Sequence, residues 1–305
     1  MSDIDVSIVI LVKNGSRYLD PVLRAVFSQE INKNFEVLVF DSGSTDRSPD
    51  IARNYKVKYR RINPGEFNHG LTRNFAASVS RGRFIAFLSQ DAEPLDKYWL
   101  RALVEGLESD GQIAGVYSRQ LPRQDAGILT KVRVSRFFTA SSDRRESRIT
   151  DTIKYNRLSP REKYRFCNFD NVSSCVRKDV LIKLPFPKTD FAEDLEWAKK
   201  ALEAGYKIVY EPGSAVLHSH EYSPAQWYAR TRISYARIYS IFGEQKKFGL
   251  LAAARSFAVQ SVYGVYLSRK QAGRLREWFF HVPQVLVYSF LGALGEYSGV
   301  RLSKR

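Results

Sequence analysis

The first 120 residues alternate between strand-like and helix-like patterns. Val6 to Val12 is an almost unbroken apolar run, the pattern of a strand buried on both faces. Leu19, Val22, Leu23, Val26 and Phe27 then recur at helical spacing. Phe35 to Phe40 predicts a second strand, and Ser48-Pro49 a helix start with Ser48 as N-cap and proline at the first helical position. Val57 to Ile62 predicts a third strand, Leu71 to Ser80 a helix that ends before Gly82, and Arg83 to Leu88 a fourth strand. A helix over Tyr98 to Leu107 and a strand over Ile113 to Tyr117 complete the series. Such alternation predicts an α/β fold, a mainly parallel central sheet with helices on both faces. Ligands of such sheets bind beyond the C-terminal ends of the strands, so chemistry is sought in the loops that follow them.

From Leu121 to about Arg165 the periodicity weakens into a polar stretch rich in Arg, Ser and Asp, which reads as a long excursion or mobile loop. Order returns with a strand-like Asn171 to Val176, a helix over Asp194 to Glu203 closed by Gly205, and strands at Lys207 to Tyr210 and Ala215 to Leu217. Ser223-Pro224-Ala225-Gln226 has the form of a capping box with proline at the first helical position, opening a helix towards Phe242. Two further helical segments follow Gly249, divided near Pro283. The expected organisation is a catalytic domain over 1–222, with halves 1–120 and 121–222 and a long loop at about 121–165, then a helical region over 223–305.

Composition changes this picture in one respect. The chain of 305 residues is 44% apolar and carries 48 Lys+Arg against 32 Asp+Glu, a formal charge of +16. Residues 223–305 hold 13 basic and 3 acidic side chains, so most of the excess lies in the last quarter and implies a localised anionic partner. Nucleic acid, anionic lipid and a diphosphate-linked substrate all suit that field. Cys167 and Cys175 are too few for a disulfide framework and read as reduced thiols of a cytoplasmic protein. The acidic start Met1-Ser2-Asp3-Ile4-Asp5 has the form of neither a signal nor a transit peptide. The nearest approach to a bilayer span, Val282 to Leu294, is broken by Pro283, Gln284, Ser289 and Gly292, and predicts a segment lying in an interface.

Polar groups load the predicted strand ends. Lys13-Asn14-Gly15-Ser16 follows the first strand, Asp41-Ser42-Gly43-Ser44-Thr45-Asp46 the second, and Ser89-Gln90-Asp91-Ala92-Glu93-Pro94 the fourth. Glu193-Asp194 opens a helix, and His69-Gly70-Leu71-Thr72-Arg73-Asn74 opens another. Each taken alone has a local explanation: an Asx turn, a turn cap before proline, or carboxylates on a helix dipole. Their joint placement on one sheet edge points to a site.

These motifs, over roughly Val6 to Tyr222, resemble the family-2 glycosyltransferases of the GT-A fold. Phe67 to Asn74, Ser89 to Pro94 and His218-Ser219-His220-Glu221-Tyr222-Ser223 are similar to the bacterial rhamnosyltransferase-like branch. The resemblance implies that Asp41 accepts from the ring N–H of a pyrimidine base, with Val12 and Lys13 packing on that base. Lys13 stands where the family commonly has an aromatic. It places Arg73 on the nucleotide diphosphate, with His69 and Gln90 also on the nucleotide sugar. Gln90-Asp91 falls at the family's Asp-x-Asp motif, Ser89 replacing its first Asp. Asp91 is then the main ligand of Mg²⁺ or Mn²⁺, completed by His218, which reads equally well as a polar strand-end histidine. Asp194 matches the catalytic base that deprotonates the acceptor hydroxyl for inverting attack. Glu193 and His220 fall on the acceptor side, Glu193 also readable as only a helix-end charge and His220 as a polar strand-end histidine.

Tyr228, Tyr235, Tyr239, Phe242, Trp278, Phe279 and Phe280 alternate with Arg230, Arg232, Arg237, Arg274 and Arg276. Such a basic, aromatic pattern predicts peripheral membrane contact, or else packing on the catalytic domain or on a second subunit in a homo-oligomer. A nucleic-acid-binding protein is the competing class, but no helix-turn-helix, zinc-finger or aromatic RNA-binding signature is present. A dinucleotide oxidoreductase lacks its Gly-x-Gly-x-x-Gly, and a pyrophosphorylase lacks its Gly-rich basic loop. The expected enzyme moves rhamnose from dTDP-rhamnose, or another hexose from a UDP, dTDP or GDP sugar. Its acceptor is a glycan or lipid-linked glycan of a surface polysaccharide, at the inner face of a bacterial plasma membrane.

Overall fold

The structure, a computed structural model, describes residues 4–243 and 249–302; Met1 to Asp3 of the acidic start lie outside them. In chain order the elements begin β1 (Val6–Val12), α1 (Leu19–Phe27), β2 (Phe35–Asp41), α2 (Ser48–Arg53), β3 (Lys58–Arg61), α3 (His69–Val79), β4 (Phe84–Ser89), β5 (Glu93–Pro94), α4 (Trp99–Glu108) and β6 (Ile113–Leu121). They continue with α5 (Ile128–Ser135), β7 (Arg145–Ser147), α6 (Thr152–Arg157), α7 (Pro160–Phe166), β8 (Ser173–Arg177), α8 (Lys178–Lys183), α9 (Glu193–Glu203) and β9 (Lys207–Leu217), and end with α10 (Pro224–Phe242), α11 (Leu250–Gln271) and α12 (Leu275–Leu302). Two compact units result. The first comprises Met1–Gln120, Ser141–Thr150 and Cys167–His218; the second comprises Leu121–Ala140, Asp151–Phe166 and Ser219–Arg305.

The first unit is built on one curled sheet of order β3-β2-β1-β4-β8-β6-β9-β5, with β7 also on β9. β1 pairs in parallel with β2 and β4, and β2 with β3. β8 runs antiparallel to β4 and β6, and β5 and β7 antiparallel to β9. Strand alternation sends Val6, Ile8, Ile10 and Val12 to one face, where they join Leu19, Val22, Trp99 and Leu103 of α1 and α4 in a dry core. The other face carries Phe87, edge-on to Phe186, which in turn packs on Trp197 of α9. Burying each such side chain is worth roughly 1.5–3 kcal/mol, so both faces hold the sheet. The chain leaves β1 towards β2 on one side and finds β4 on the other, a topological switch point beyond whose strand ends the ligands of such sheets bind.

In the second unit α10 starts with the expected capping box of Ser223 and Gln226. α12 lies against α10 on a bare stretch of its own backbone: a Cβ at Gly295 would stand 2.8 Å from Thr231 Cβ, and one at Gly299 2.5 Å from the Arg232 carbonyl oxygen. α11 packs on α12 and α5, where Ile128, Val132, Leu267 and Ala272 close around Trp278.

Several sequence expectations are corrected. The excursion at 121–165 is not a loop but holds α5, β7, α6 and α7, each too short and too rich in Arg and Ser to show a clear period. The units do not divide at 222 either. The first ends at His218, and residues 121–140 and 151–166 join the second because α5 packs on α11 and α7 on α10. Ser48 lies inside α2, its N-cap being Arg47. β9 runs unbroken through Pro212-Gly213. Pro283 sits within α12, and the division between the last two helices falls at 272–274. α12 is therefore, by length and composition, the one helix among the described residues able to cross a membrane, where the sequence predicts only an interfacial segment.

Candidate active site

The loops after β1 and β2 are knitted together. The backbone N–H groups of Asn14, Gly15 and Ser16 donate to Ser44 Oγ (2.9 Å), Ser48 Oγ (2.8 Å) and Asp46 Oδ2 (2.9 Å), and Asn14 Oδ1 accepts from the Thr45 N–H (2.9 Å). Asn14 takes the left-handed conformation (φ 48°), which asparagine tolerates, to make this turn. Although burial pushes the Asp46 carboxyl up, hydrogen bonds from Ser48 and Ser16 hold it well below the usual carboxylate range. Asp41 is wholly buried: Oδ1 accepts from the N–H groups of Gly43 (2.8 Å) and Ser44 (2.6 Å), and Oδ2 from the Tyr59 hydroxyl (2.8 Å). Burial and the Asp41 charge push that phenol up to about 12.

Gln90 clamps the first loop to the fourth strand. Its Oε1 accepts from the Lys13 N–H (2.8 Å) and its Nε2 donates to the Lys13 carbonyl (3.1 Å). A Cβ at position 15 would stand 2.4 Å from Gln90 Oε1, so any larger residue there must push the Gln90 amide aside. Immediately after, β5 pairs with β9 so that Glu93 faces Leu217. That register carries Asp91 to His218, with Oδ1 and Nε2 3.6 Å apart. His218 Nδ1 lies 3.0 Å from Gln120 Oε1, and Gln120 Nε2 donates to Asp170 Oδ2 at 2.7 Å.

Asp194, the second residue of α9, is reached through the same segment. Its Oδ2 accepts from the Asn171 N–H (2.9 Å) and its Oδ1 from the Leu195 N–H (2.8 Å). Burial, then the charges of Glu193 and Asp170, push its carboxyl up to about 8, against the Asn171 hydrogen bond and the Arg73 charge. Ala192, just before the helix, is held at φ 58°, a left-handed conformation costly for a residue with a Cβ. Glu193 forms a buried ion pair with Arg73, NH1 to Oε1 2.7 Å, with side chains 9% and 8% exposed. Arg73 NH1 also approaches the His69 carbonyl (3.3 Å), while its Nε–H has no hydrogen-bond partner among the described residues. Partial burial and the Arg73 charge lower the His69 ring.

A continuous run of contacts thus joins Asp41, through the 41–48 and 13–16 loops, to Gln90-Asp91, His218, Gln120, Asp170-Asn171 and Asp194. Asp41, Asp91 and Asp194 are in this way brought to one edge of one sheet. Several expectations change, Asp41 among them, since its carboxylate is wholly buried with both oxygens engaged and does not stand open to a base. Val12 is not presented to a ligand, because strand alternation turns it into the core. Arg73 does not stand open to a phosphate: α3 buries it, and its guanidinium is committed to Glu193. Glu193 for the same reason is not an exposed acceptor contact. His220 belongs to the second unit, its carbonyl accepting from Thr130 Oγ1 (3.2 Å) and Arg133. Gln120, Asp170 and Tyr59 escape the sequence reading. The polar run Asn168-Phe169-Asp170-Asn171 before β8 is the one signal that points to any of them.

A curled sheet with helices around it and polar loops at this edge has the layout of a GT-A-type fold. The profile of the family described as "Glycosyl transferase family 2" matches residues 7–167, and the chain belongs to that family. It is 34% identical over 207 residues to the O-antigen chain rhamnosyltransferase WbaN of Salmonella anatum, covering 67% of this chain and 62% of that protein. To the O-antigen chain rhamnosyltransferase RfbN of Salmonella typhimurium it is 33% identical over 229 residues, covering 74% and 69%. The match thus spans about two thirds of these relatives' length. The mannosyltransferase PcManGT from Pyrobaculum calidifontis, solved with GDP-Man and Mn²⁺, superposes with a TM-score of 0.58 at 16% identity over 100% of this chain and 89% of that one, a likeness of fold.

Proposed function

We propose that this chain is an inverting, divalent-cation-assisted glycosyltransferase that moves rhamnose from dTDP-rhamnose to a glycan or lipid-linked glycan in surface polysaccharide synthesis. The donor and pathway rest on the similarity to the Salmonella rhamnosyltransferases. The observation that carries the chemistry is Asp194, a carboxyl held at about 8 within one web of contacts with Asp91 and His218. A base poised near neutrality takes the proton of an acceptor hydroxyl as that oxygen bonds to the anomeric carbon. The bond to the nucleoside diphosphate breaks on the opposite face, which inverts the centre. Asp91 and His218 would hold the cation, and one carboxylate oxygen with one imidazole nitrogen is a donor set that suits Mn²⁺ better than Mg²⁺. When bound, the cation supplies charge stabilisation to the departing diphosphate. Lys13, exposed at the end of β1 and fixed by Gln90, supplies positive charge at the same edge, and Asp41 shapes the 41–48 loop that receives the base.

The proposal extends to place. At the turn between α11 and α12, Arg269, Lys270, Arg274 and Arg276 stand exposed beside exposed Leu275, Phe279 and Phe280. Cations next to aromatic rings suit the anionic headgroup layer on the cytoplasmic side of a bacterial membrane. The test offers the protein dTDP-rhamnose, UDP-glucose and GDP-mannose with Mn²⁺ or Mg²⁺ and a lipid-linked glycan, and follows nucleoside diphosphate release and the anomeric configuration of the product. Metal-dependent release from dTDP-rhamnose with inversion is expected. A retained configuration, or equal turnover in chelator, would overturn the mechanism, and preference for another donor would overturn the sugar.

A further inference from the structure

Gln120 and Asp170 carry no role in the chemistry above, yet both are drawn into the site. Asp170 is held at both oxygens, Oδ1 accepting from the Val172 N–H (2.9 Å) and Oδ2 from Gln120 Nε2 (2.7 Å). A carboxylate only accepts, so the Gln120 amide must turn its NH₂ towards Asp170 and its oxygen towards His218. An amide oxygen also only accepts. The hydrogen at the 3.0 Å contact with His218 Nδ1 therefore belongs to the imidazole. With the proton on Nδ1, a neutral ring has its lone pair on Nε2, the nitrogen 3.6 Å from Asp91 Oδ1.

We propose that Asp170 and Gln120 are positioning residues that set the hydrogen-bond polarity of the site and so fix His218 in the Nδ1–H tautomer, which makes Nε2 a cation ligand together with Asp91. This rests on the cation-assisted reading above and adds to it where the ligand's competence comes from. Gln120 is buried, so water does not readily replace its amide. The direction of the chain is set at its far end, at the Val172 N–H, on the loop that also places the Asn171 N–H on Asp194.

The polarity can be inverted without changing shape. In Asp170→Asn the Val172 N–H keeps the amide oxygen, so the new NH₂ faces Gln120. Gln120 must then accept from it and donate to His218 Nδ1, which drives the ring proton to Nε2. In the double variant Gln120→Glu/Asp170→Asn, the carboxylate introduced at position 120 accepts both from the amide introduced at position 170 and from the His218 Nδ1–H, and the original direction returns. Two readouts apply: Mn²⁺ affinity by electron paramagnetic resonance, and the tautomer by ¹⁵N long-range NMR on metal-free protein at pH 8. The chain has four histidines, and the His218→Gln spectrum identifies the signal. The expected results are Nδ1–H in the parent, Nε2–H in Asp170→Asn with a Kd for Mn²⁺ raised about 10–100-fold, and recovery of both in the double variant. An Nε2–H parent, or Asp170→Asn with unchanged tautomer and affinity, would overturn the proposal. Should Asp170→Asn not fold, Gln120→Met carries the same test, since it removes the acceptor for Nδ1–H. Absence of Mn²⁺ uptake by the parent would count against the cation reading alone, and the tautomer would still decide the relay.

Discussion

Replacing Arg73 by methionine separates two roles for this residue. The guanidinium is 2.7 Å from Glu193 and both side chains are nine-tenths buried, so the substitution strands a carboxylate where water cannot reach it. Breaking a buried pair from one side costs about 3–5 kcal/mol. At about 2–4 °C per kcal/mol for a unit of this size, the melting temperature should fall by roughly 6–20 °C. Removing Glu193 as well, in Arg73→Met/Glu193→Met, should recover most of that loss, because two packed apolar chains replace a desolvated pair. Thermal unfolding of the parent and the three variants (two single, one double) provides the measurement. If Arg73→Met melts within 2–3 °C (about 1 kcal/mol) of the parent and the double variant is no better, the pair is not what anchors the start of α9. If in addition only nucleoside diphosphate binding is lost, Arg73 is a phosphate ligand after all.

Three other outcomes follow from the geometry. With Asp194 held at about 8, kcat/KM should climb with pH to a plateau above 8, and Asp194→Asn should leave no transfer at any pH while donor binding persists; a flat profile from pH 6 to 9 would remove Asp194 as the base. Gly15→Ala should displace Gln90 from both Lys13 contacts and weaken nucleotide binding by about tenfold, roughly 1.4 kcal/mol, in isothermal titration, and unchanged affinity would show the clamp to be unnecessary. Arg274→Glu/Arg276→Glu should lower cosedimentation with phosphatidylglycerol vesicles, and the parent's binding should weaken with salt; indifference to both would refute the membrane contact.

The N-terminal half of the fold is plain from residue pattern, because β1, β2 and β4 are buried on both faces and therefore read as apolar runs. The stretch from 121 to 165 is not, since α5 presents only Ile128, Thr130 and Val132 to its neighbours, too few for a period to emerge among the arginines. Site legibility follows the same logic. Asp41, Asp91 and Asp194 sit directly after strands or at a helix start, where position alone marks them. Gln120 looks like any polar residue at a strand end, and its role arises from β6, β9 and the loop before β8 meeting in space. Arg73 misleads for the opposite reason: a basic residue on an amphipathic helix suggests an outward charge, and burial against Glu193 is a tertiary fact. Val12 likewise faces the core through an alternation the sequence shows but the motif obscures.

α12 meets α10 through Gly295 and Gly299, with almost no side chain between the two backbones. Elsewhere along α12, Phe279, Phe280, Val287 and Phe290 are each about half exposed or more. Extracted into plain buffer, such a surface has nothing but other copies to adhere to. Mild detergent or lipid nanodiscs should therefore be the medium in which this enzyme stays dispersed long enough to be assayed.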